Sequence, residues 1–231
     1  MLQLSPTQIQ EDTAFWLFQD LEHMLFFCLG LDDPRFKSAA MGLHQAYEQA
    51  LRRGDLRWGL AILQSSQQLK TALLEEMNRR GAGSIGSVFP AFVDHVKREL
   101  DAMLLRTSGR MLARDELCFI NQIGAEHAAI AAHLLDPTEV QLQEQVPTGA
   151  RQAGAIANAC ATHQYPTLRQ LTLESATALD EVASSDALRQ AKSIIHPVLL
   201  EHIKREQDRF LAEIPALPAE EAAGDQQIRA A

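Results

Sequence analysis

An all-α protein made of two tandem four-helix repeats is the fold that this chain of 231 residues predicts, and three observations carry it. Long runs rich in Ala, Leu, Gln, Glu and Arg are punctuated by Gly, Pro and Asp, with little of the apolar/polar alternation of strands. Helix-start signals recur where those runs begin. One string, Pro-x4-His-x-Lys-Arg-Glu-x-Asp, occurs at 90–101 and again at 197–208.

The elements follow in order. Ser5-Pro6-Thr7-Gln8 has the form of a capping box with proline in the first turn, so a first helix is expected over about 6–29. Asp33-Pro34 starts a second, which Gly54 stops, and Asp55 caps a third that reaches about 80. Gly81-Ala82-Gly83-Ser84-Ile85-Gly86 then breaks the chain, and Pro90 opens a fourth helix that ends before Ser108-Gly109. The cycle repeats with a fifth helix over about 112–135, after which Asp136-Pro137 restarts the chain as Asp33-Pro34 did. A sixth helix is expected to run to about 160 and a seventh to begin near 166, with Ser184-Ser185-Asp186 interrupting or ending it. Pro197 opens an eighth that fades near 214, and 215–231, without an apolar stripe, reads as a disordered tail.

The duplication also shows in the numbering. Phe15, Glu22 and His23 map onto Phe119, Glu126 and His127 with a shift of 104, whereas Pro90, His95, Lys97, Arg98, Glu99 and Asp101 map onto the second copy with a shift of 107. Loops absorb the difference of three. The expected organisation is a first repeat over 1–111 and a second over 112–214, packed as one duplicated bundle with a metal site on its inner helices.

Composition narrows the function. A hydrophobic content of 46% supplies a sizeable core, and 22% charged residues argue against bulk disorder. A net charge of −9 speaks against nucleic-acid and anionic-membrane partners, which need a basic face. The start lacks the pattern of a secretory signal, and the apolar run 21–31 is broken by Glu22 and His23, so no membrane span is expected. Cys28, Cys118 and Cys160 form no Cys-x-x-Cys and are odd in number, which predicts three buried thiols in a reducing, cytoplasmic protein.

The repeated residues carry the chemistry. His95 with Glu99, and His202 with Glu206, lie four apart and share a helix face with apolar neighbours such as Phe92 and Met103, or Leu199 and Phe210. A carboxylate on such a stripe is costly unless paired or metal-bound. A single His-x3-Glu is commonly a solvated hydrogen-bonded pair, but here it recurs together with a second duplicated pair, Glu22-His23 and Glu126-His127. Adjacent residues point about 100° apart on a helix, so the histidines rank first as ligands, with Glu22 and Glu126 as a bridging carboxylate or a hydrogen-bond acceptor behind the ligands. The ligand set is His23, His95, Glu99, His127, His202 and Glu206, nitrogen and oxygen without thiolate, which suits iron or manganese and, less specifically, zinc.

Two arrangements are open. Packed about a pseudo-twofold axis, the ligands form one two-metal centre; with each half closed on itself, they form two mononuclear sites of two histidines and one carboxylate. The first is favoured because helices two, three, six and seven show no ligand pattern. Lys97-Arg98 and Lys204-Arg205 read as surface charge with Arg98–Asp101 and Arg205–Asp208 pairs, although Arg98 and Arg205 flank the ligand face and are candidates to hold a carboxylate or an anion. His133 reads as a helix-dipole partner; His44, His163 and His196 as surface or structural; Tyr47, Tyr165, Trp16 and Trp58 as core or interface.

The segments 15–34, 90–104, 119–137 and 197–211 resemble a small bacterial family of duplicated four-helix-bundle metalloproteins, known from Bacillus cereus and loosely similar to ferritin-like and hemerythrin-type bundles. The likeness in helix order covers about 5–214 and implies metal positions at His23, His95, Glu99, His127, His202 and Glu206. Ferritin-like enzymes carry Glu-x-x-His, whereas the order here is His-x3-Glu. The function expected is a metal-binding bundle with an oxygen- or peroxide-dependent oxidoreductase role. Dioxygen and a small-molecule substrate would meet in an apolar pocket near Phe15, Phe18, Phe26, Phe27, Phe89 and Phe92. The alternatives are a non-enzymatic metal-binding or sensing protein with a structural site, and a plain helical scaffold.

Overall fold

A computed structural model of the chain describes residues 5–145, 159–161 and 165–217. The described residues are all-helical, with helices α1 (Pro6–Gly30), α2 (Pro34–Arg53), α3 (Leu56–Arg80), α4 (Pro90–Thr107), α5 (Ala113–Leu134), α6 (Val140–Gln145), α7 (Tyr165–Ser184), α8 (Asp186–Gln190) and α9 (Pro197–Glu213). Short 3₁₀ turns at Ala82–Ser84 and Ile214–Ala216 follow α3 and α9. Among the described residues no helix is long and apolar enough to cross a membrane. The chain divides into two compact units, one formed by Gln3–Arg110 and one by residues from Met111 onward.

In the first unit the caps act where the sequence places them. Ser5 Oγ accepts from the Gln8 amide at 3.3 Å while the Ser5 amide donates to Gln8 Oε1 at 2.9 Å, closing a capping box ahead of α1. Asp33 accepts from the Arg35 amide and Asp55 from the Trp58 amide, each at 3.0 Å, starting α2 and α3. Gly54 ends α2 in the left-handed region, with φ of 64°. Each of these helices packs on the next, and α1 also packs on α3 and α4, which closes the unit. Leu17, Met24 and Phe27 from α1 are fully buried with Tyr47, Leu63, Leu73, Val93 and Val96 from the other three, each aliphatic or Phe side chain contributing roughly 1.5–3 kcal/mol.

A short tie joins the end of the first helix to the approach of the last helix in each unit. In the first, Leu31 and Gly86 form an isolated antiparallel bridge, with Asp32 N donating to Ile85 O at 2.8 Å and Ser87 N to Gly30 O at 2.8 Å. In the second, Leu135 and Ser193 form the bridge, with Asp136 N donating to Lys192 O at 2.8 Å and Ile194 N to Leu134 O at 3.0 Å. The members of the two ties differ in number by the same 104 and 107 as the repeated motifs. The tie fixes where the last helix starts, and so where its histidine and glutamate fall.

The second unit packs α5 on α7 and α7 on α9, with α5 also touching α9. Of the expected sixth helix, Val140–Gln145 and helical residues at 159–161 are described; residues 146–158 and His163 lie outside the described residues, as does 218–231 of the expected tail. Ser184-Ser185-Asp186 both ends α7 and starts α8, because Ser185 Oγ accepts from the Leu188 amide at 3.1 Å and caps a new helix.

The cysteines also depart from expectation. Cys118 on α5 and Cys160 form a disulfide with Cα atoms 6.0 Å apart, so only Cys28, half-buried, keeps a free thiol, which burial pushes above its ordinary pKa. Spacing could not reveal this pair, because 42 residues separate its members and only the folding of the second unit brings them together. With two of the three cysteines joined, the cysteines do not speak for a reducing compartment.

Two expected outcomes check this description. A Cβ on residue 86 would lie 2.2 Å from Gly30 O, so Gly86→Ala should lower stability by about 1–3 kcal/mol in denaturant titrations, and an unchanged midpoint would contradict the tie. Peptide mapping under non-reducing conditions should recover Cys118 linked to Cys160 and Cys28 alkylated; three alkylated cysteines would contradict the pairing.

Candidate metal centre

The inner stripe of α1 runs through Thr13, Trp16, Asp20, His23, Met24 and Phe27, all buried, and that of α4 through Phe92, His95, Val96, Glu99 and Met103. Where the stripes meet, Glu99 lies between two imidazoles. His23 Nε2 is 3.1 Å from Glu99 Oε2, and His95 Nε2 is 2.9 Å from Glu99 Oε1. Each carboxylate oxygen thus faces one ring. Phe92 stacks on His95 with ring centroids 6.4 Å apart, and Phe26, Phe27 and Phe89 meet Phe92 edge-on. A cavity of about 10 Å³, room for one water-sized molecule or ion, is lined by Trp16, Asp20, His23, Val96, Glu99, Leu100 and Met103.

A polar chain stands behind His23. Its Nδ1 lies 3.2 Å from Asp20 Oδ1, the same oxygen accepts from the Lys70 ammonium, and Asp20 Oδ2 accepts from the Tyr47 hydroxyl. Lys70 also donates to Val96 O at 3.0 Å. Lys70 and Tyr47 are fully buried. Burial alone would raise the Asp20 pKa, but the Lys70 ammonium and then His23 outweigh it and hold the carboxyl far below its usual range. Burial likewise opposes the charged form of His23, and its hydrogen bonds to Asp20 and Glu99 prevail, leaving the imidazole above its ordinary value. The Tyr47 hydroxyl is driven the other way, pushed well up by burial and by the neighbouring Asp20 charge.

The second unit repeats the front of this arrangement. His127 Nε2 is 3.1 Å from Glu206 Oε2 and His202 Nε2 is 3.6 Å from Glu206 Oε1. Behind His127, Nδ1 lies 3.4 Å from the Gln207 side-chain amide. The spacings of His23, His95 and His127 from their carboxylates match that of neighbouring ligands on an octahedral ion with bonds of about 2.1 Å, whose edge is about 3 Å, and the His202 spacing of 3.6 Å is wider. A proton on Nε2 makes the same contacts as hydrogen bonds, so proton and metal compete for one lone pair.

The other sequence candidates fall around these triads. Glu22 is 6% exposed, one residue before His23 on α1, and Glu126 accepts from Gln122 Nε2 at 3.2 Å one turn back on its own helix. The expected Arg98–Asp101 and Arg205–Asp208 pairs are replaced. Arg98 Nε donates to Asp94 at 2.8 Å, Asp101 accepts from Lys97 at 2.7 Å and from Gln67, and Asp208 accepts from Lys204. Arg205 is half-buried. Phe18 is 41% exposed and leaves the expected apolar pocket, and Phe15 packs on Trp16 with ring centroids 5.3 Å apart. His133 is exposed in the last turn of α5, and His196 caps α9 by accepting from the Val198 amide at 3.2 Å.

Four residues of this neighbourhood escaped sequence reasoning: Asp20, Tyr47, Lys70 and Gln207. Two left a signal. Lys70 interrupts the buried stripe Leu63, Ser66, Leu73, Met77 of α3, and Asp20 sits on the buried stripe of α1 three residues before a candidate ligand. Tyr47 and Gln207 left none, since nothing in their local pattern separates them from core and surface residues.

No protein-family model matches the chain. It is 23% identical to an uncharacterized protein of Acanthamoeba polyphaga mimivirus over 263 residues, covering 92% of this chain and 82% of that protein. Its fold is similar to the crystal structure of an uncharacterized protein from Bacillus cereus, with a TM-score of 0.75 over 96% of this chain and 94% of that one. Identity there is 15%, so the likeness speaks for the helical fold alone.

The buried ion pair behind His23 makes a testable demand. Lys70→Met strands the Asp20 carboxylate and should cost about 3–5 kcal/mol, much of it recovered when Asp20→Asn is added. Equal denaturation midpoints for the Lys70→Met variant and the parent chain would contradict the pairing.

Proposed function

We propose that this is a metal-binding helical protein that holds two iron or manganese ions per chain and uses them in oxygen- or peroxide-dependent redox chemistry. One observation carries the reading: in each half, a buried glutamate offers one oxygen to each of two buried histidines. Desolvating a carboxylate costs several kcal/mol, and a divalent cation between these donors offsets that cost. Imidazole and carboxylate without thiolate suit iron and manganese above zinc.

A bound redox metal with an open position supplies the means to bind and reduce dioxygen or peroxide. The residues of the chain do the rest. His23, His95 and Glu99, with His127, His202 and Glu206, hold the ions; Asp20 keeps the His23 ring turned with Nε2 forward; Val96, Leu100, Met103 and Trp16 keep bulk water from the cavity beside His23 and Glu99. A second reading, a structural metal in a non-enzymatic protein, draws support from burial, since none of the six donor residues is more than 2% exposed.

Metal analysis of the chain purified without a histidine tag tests both readings. Two ions per chain are expected, and no stoichiometric metal would overturn both. Because a proton and a metal compete for the same Nε2 lone pair of each histidine, the metal content retained after dialysis should fall as pH is lowered. Anaerobic reduction followed by oxygen should change the optical spectrum; a spectrum blind to oxygen rejects the redox role. His95→Ala and His202→Ala should each lose metal, and an unchanged melting temperature in both would reject the structural role.

A further inference from the structure

We infer that the two halves bind metal with unequal affinity, the first half at least tenfold tighter, because its α1 histidine is backed by an anion and the corresponding α5 histidine by a neutral amide. The inference rests on the metal-binding reading above and deepens it. Its positioning residues are Asp20, with Lys70 and Tyr47, in one half and Gln207 in the other.

The duplication itself shows how this difference is built. At the shift of 104 that carries His23 onto His127, Asp20 corresponds to Gly124. At the shift of 107 that carries Glu99 onto Glu206, Leu100 corresponds to Gln207. The buried stripe Ser66, Lys70, Met77 of α3 has the spacing of Thr172, Ala176, Ala183 on α7, which sets Ala176 where Lys70 stands. The first half thus has Asp20 and Lys70 where the second has Gly124 and Ala176. The polar partner of the imidazole has moved from the helix that carries the histidine to the facing helix, and has lost its charge.

The chemical consequence follows from the ring. A histidine that ligates through Nε2 carries its proton on Nδ1 and donates it rearward. A carboxylate acceptor raises the basicity of the ring and stabilises positive charge in front of it; a side-chain carbonyl does so much less. Asp20 is held in place by Lys70 and Tyr47, so it meets His23 Nδ1 at 3.2 Å without freedom to swing away. Gln207 meets His127 Nδ1 at 3.4 Å, and a metal-bound His127 requires its amide oxygen, not its nitrogen, to face the ring. The glutamate spacing repeats the trend, with His202 at 3.6 Å from its carboxylate against 2.9 Å for His95.

The test is a titration of the full chain, stripped with chelator, with Mn(II), free ion being read by its paramagnetic resonance signal. Two steps are expected, separated by about tenfold or more. Asp20→Asn should weaken the tight step by about 10–100-fold and leave the weak step in place. Gln207→Glu should strengthen the weak step by about tenfold and leave the tight one, a gain that a merely structural role for residue 207 would not produce. Should Asp20→Asn fail to fold because Lys70 is stranded, Gln207→Glu decides alone. Two equal steps, or a weak step that Gln207→Glu does not move, overturn the inference while the metal reading stands. Binding of neither Mn(II) nor, anaerobically, Fe(II) overturns both together.

Discussion

Glu99 is 1% exposed, and a carboxylate taken that far out of water has to be neutralised by what it touches. His23 and His95 answer that demand from two helices, one to each oxygen, and much else in the first half follows from holding them there. Phe92 and the rings around it hold the plane of His95; Asp20 holds His23; Lys70 and Tyr47, reaching in from α3 and α2, hold Asp20. All four helices of this half are thereby bound to one buried charge balance. That balance is what makes the neighbourhood of Glu99 specific rather than merely apolar, since leaving any member unpartnered costs several kcal/mol.

The second half keeps the front of this arrangement and discards the back. Glu206 stands between His127 and His202 as Glu99 does between its own pair, and the backbone tie before the last helix recurs at the same numerical shifts. Gly124 and Ala176 stand where the first half has Asp20 and Lys70, and Asn121 and Thr172 make a neutral hydrogen bond across α5 and α7. A disulfide from Cys118 adds a covalent constraint to α5. The six candidate donors thus recur in both halves while the groups behind them differ. Ligands fix whether a metal binds; the groups behind them tune how well.

Much of the local structure was legible because it depends on neighbours in the chain. Ser5, Asp33 and Asp55 each cap the amide that their sequence context indicates, and Pro90 and Pro197 each open a helix. The repeated His-x3-Glu placed two donors on one face by helical geometry alone. What could not be read depends on residues far apart in sequence. Tyr47 meets Asp20 across 27 residues and Lys70 across 50, and no local pattern announces either contact. Phe18 looked like its neighbours Phe15 and Phe26, yet the face of α1 that carries it turns outward. Arg98 meets Asp94, and Asp101 meets Lys97 and Gln67, although helical spacing alone allows an Arg98–Asp101 pair as well.

The sequence by itself determined the helical class, most helix starts, the internal duplication and the six candidate donors, because each follows from residue type and from spacing along one helix. The tertiary structure alone decided which oxygen of Glu99 meets which imidazole, that Asp20 stands behind His23 and Gln207 behind His127, and that Cys118 is joined to Cys160. Those are relations between helices, and the energy that selects them comes from packing and charge balance across the unit, which no stretch of chain contains.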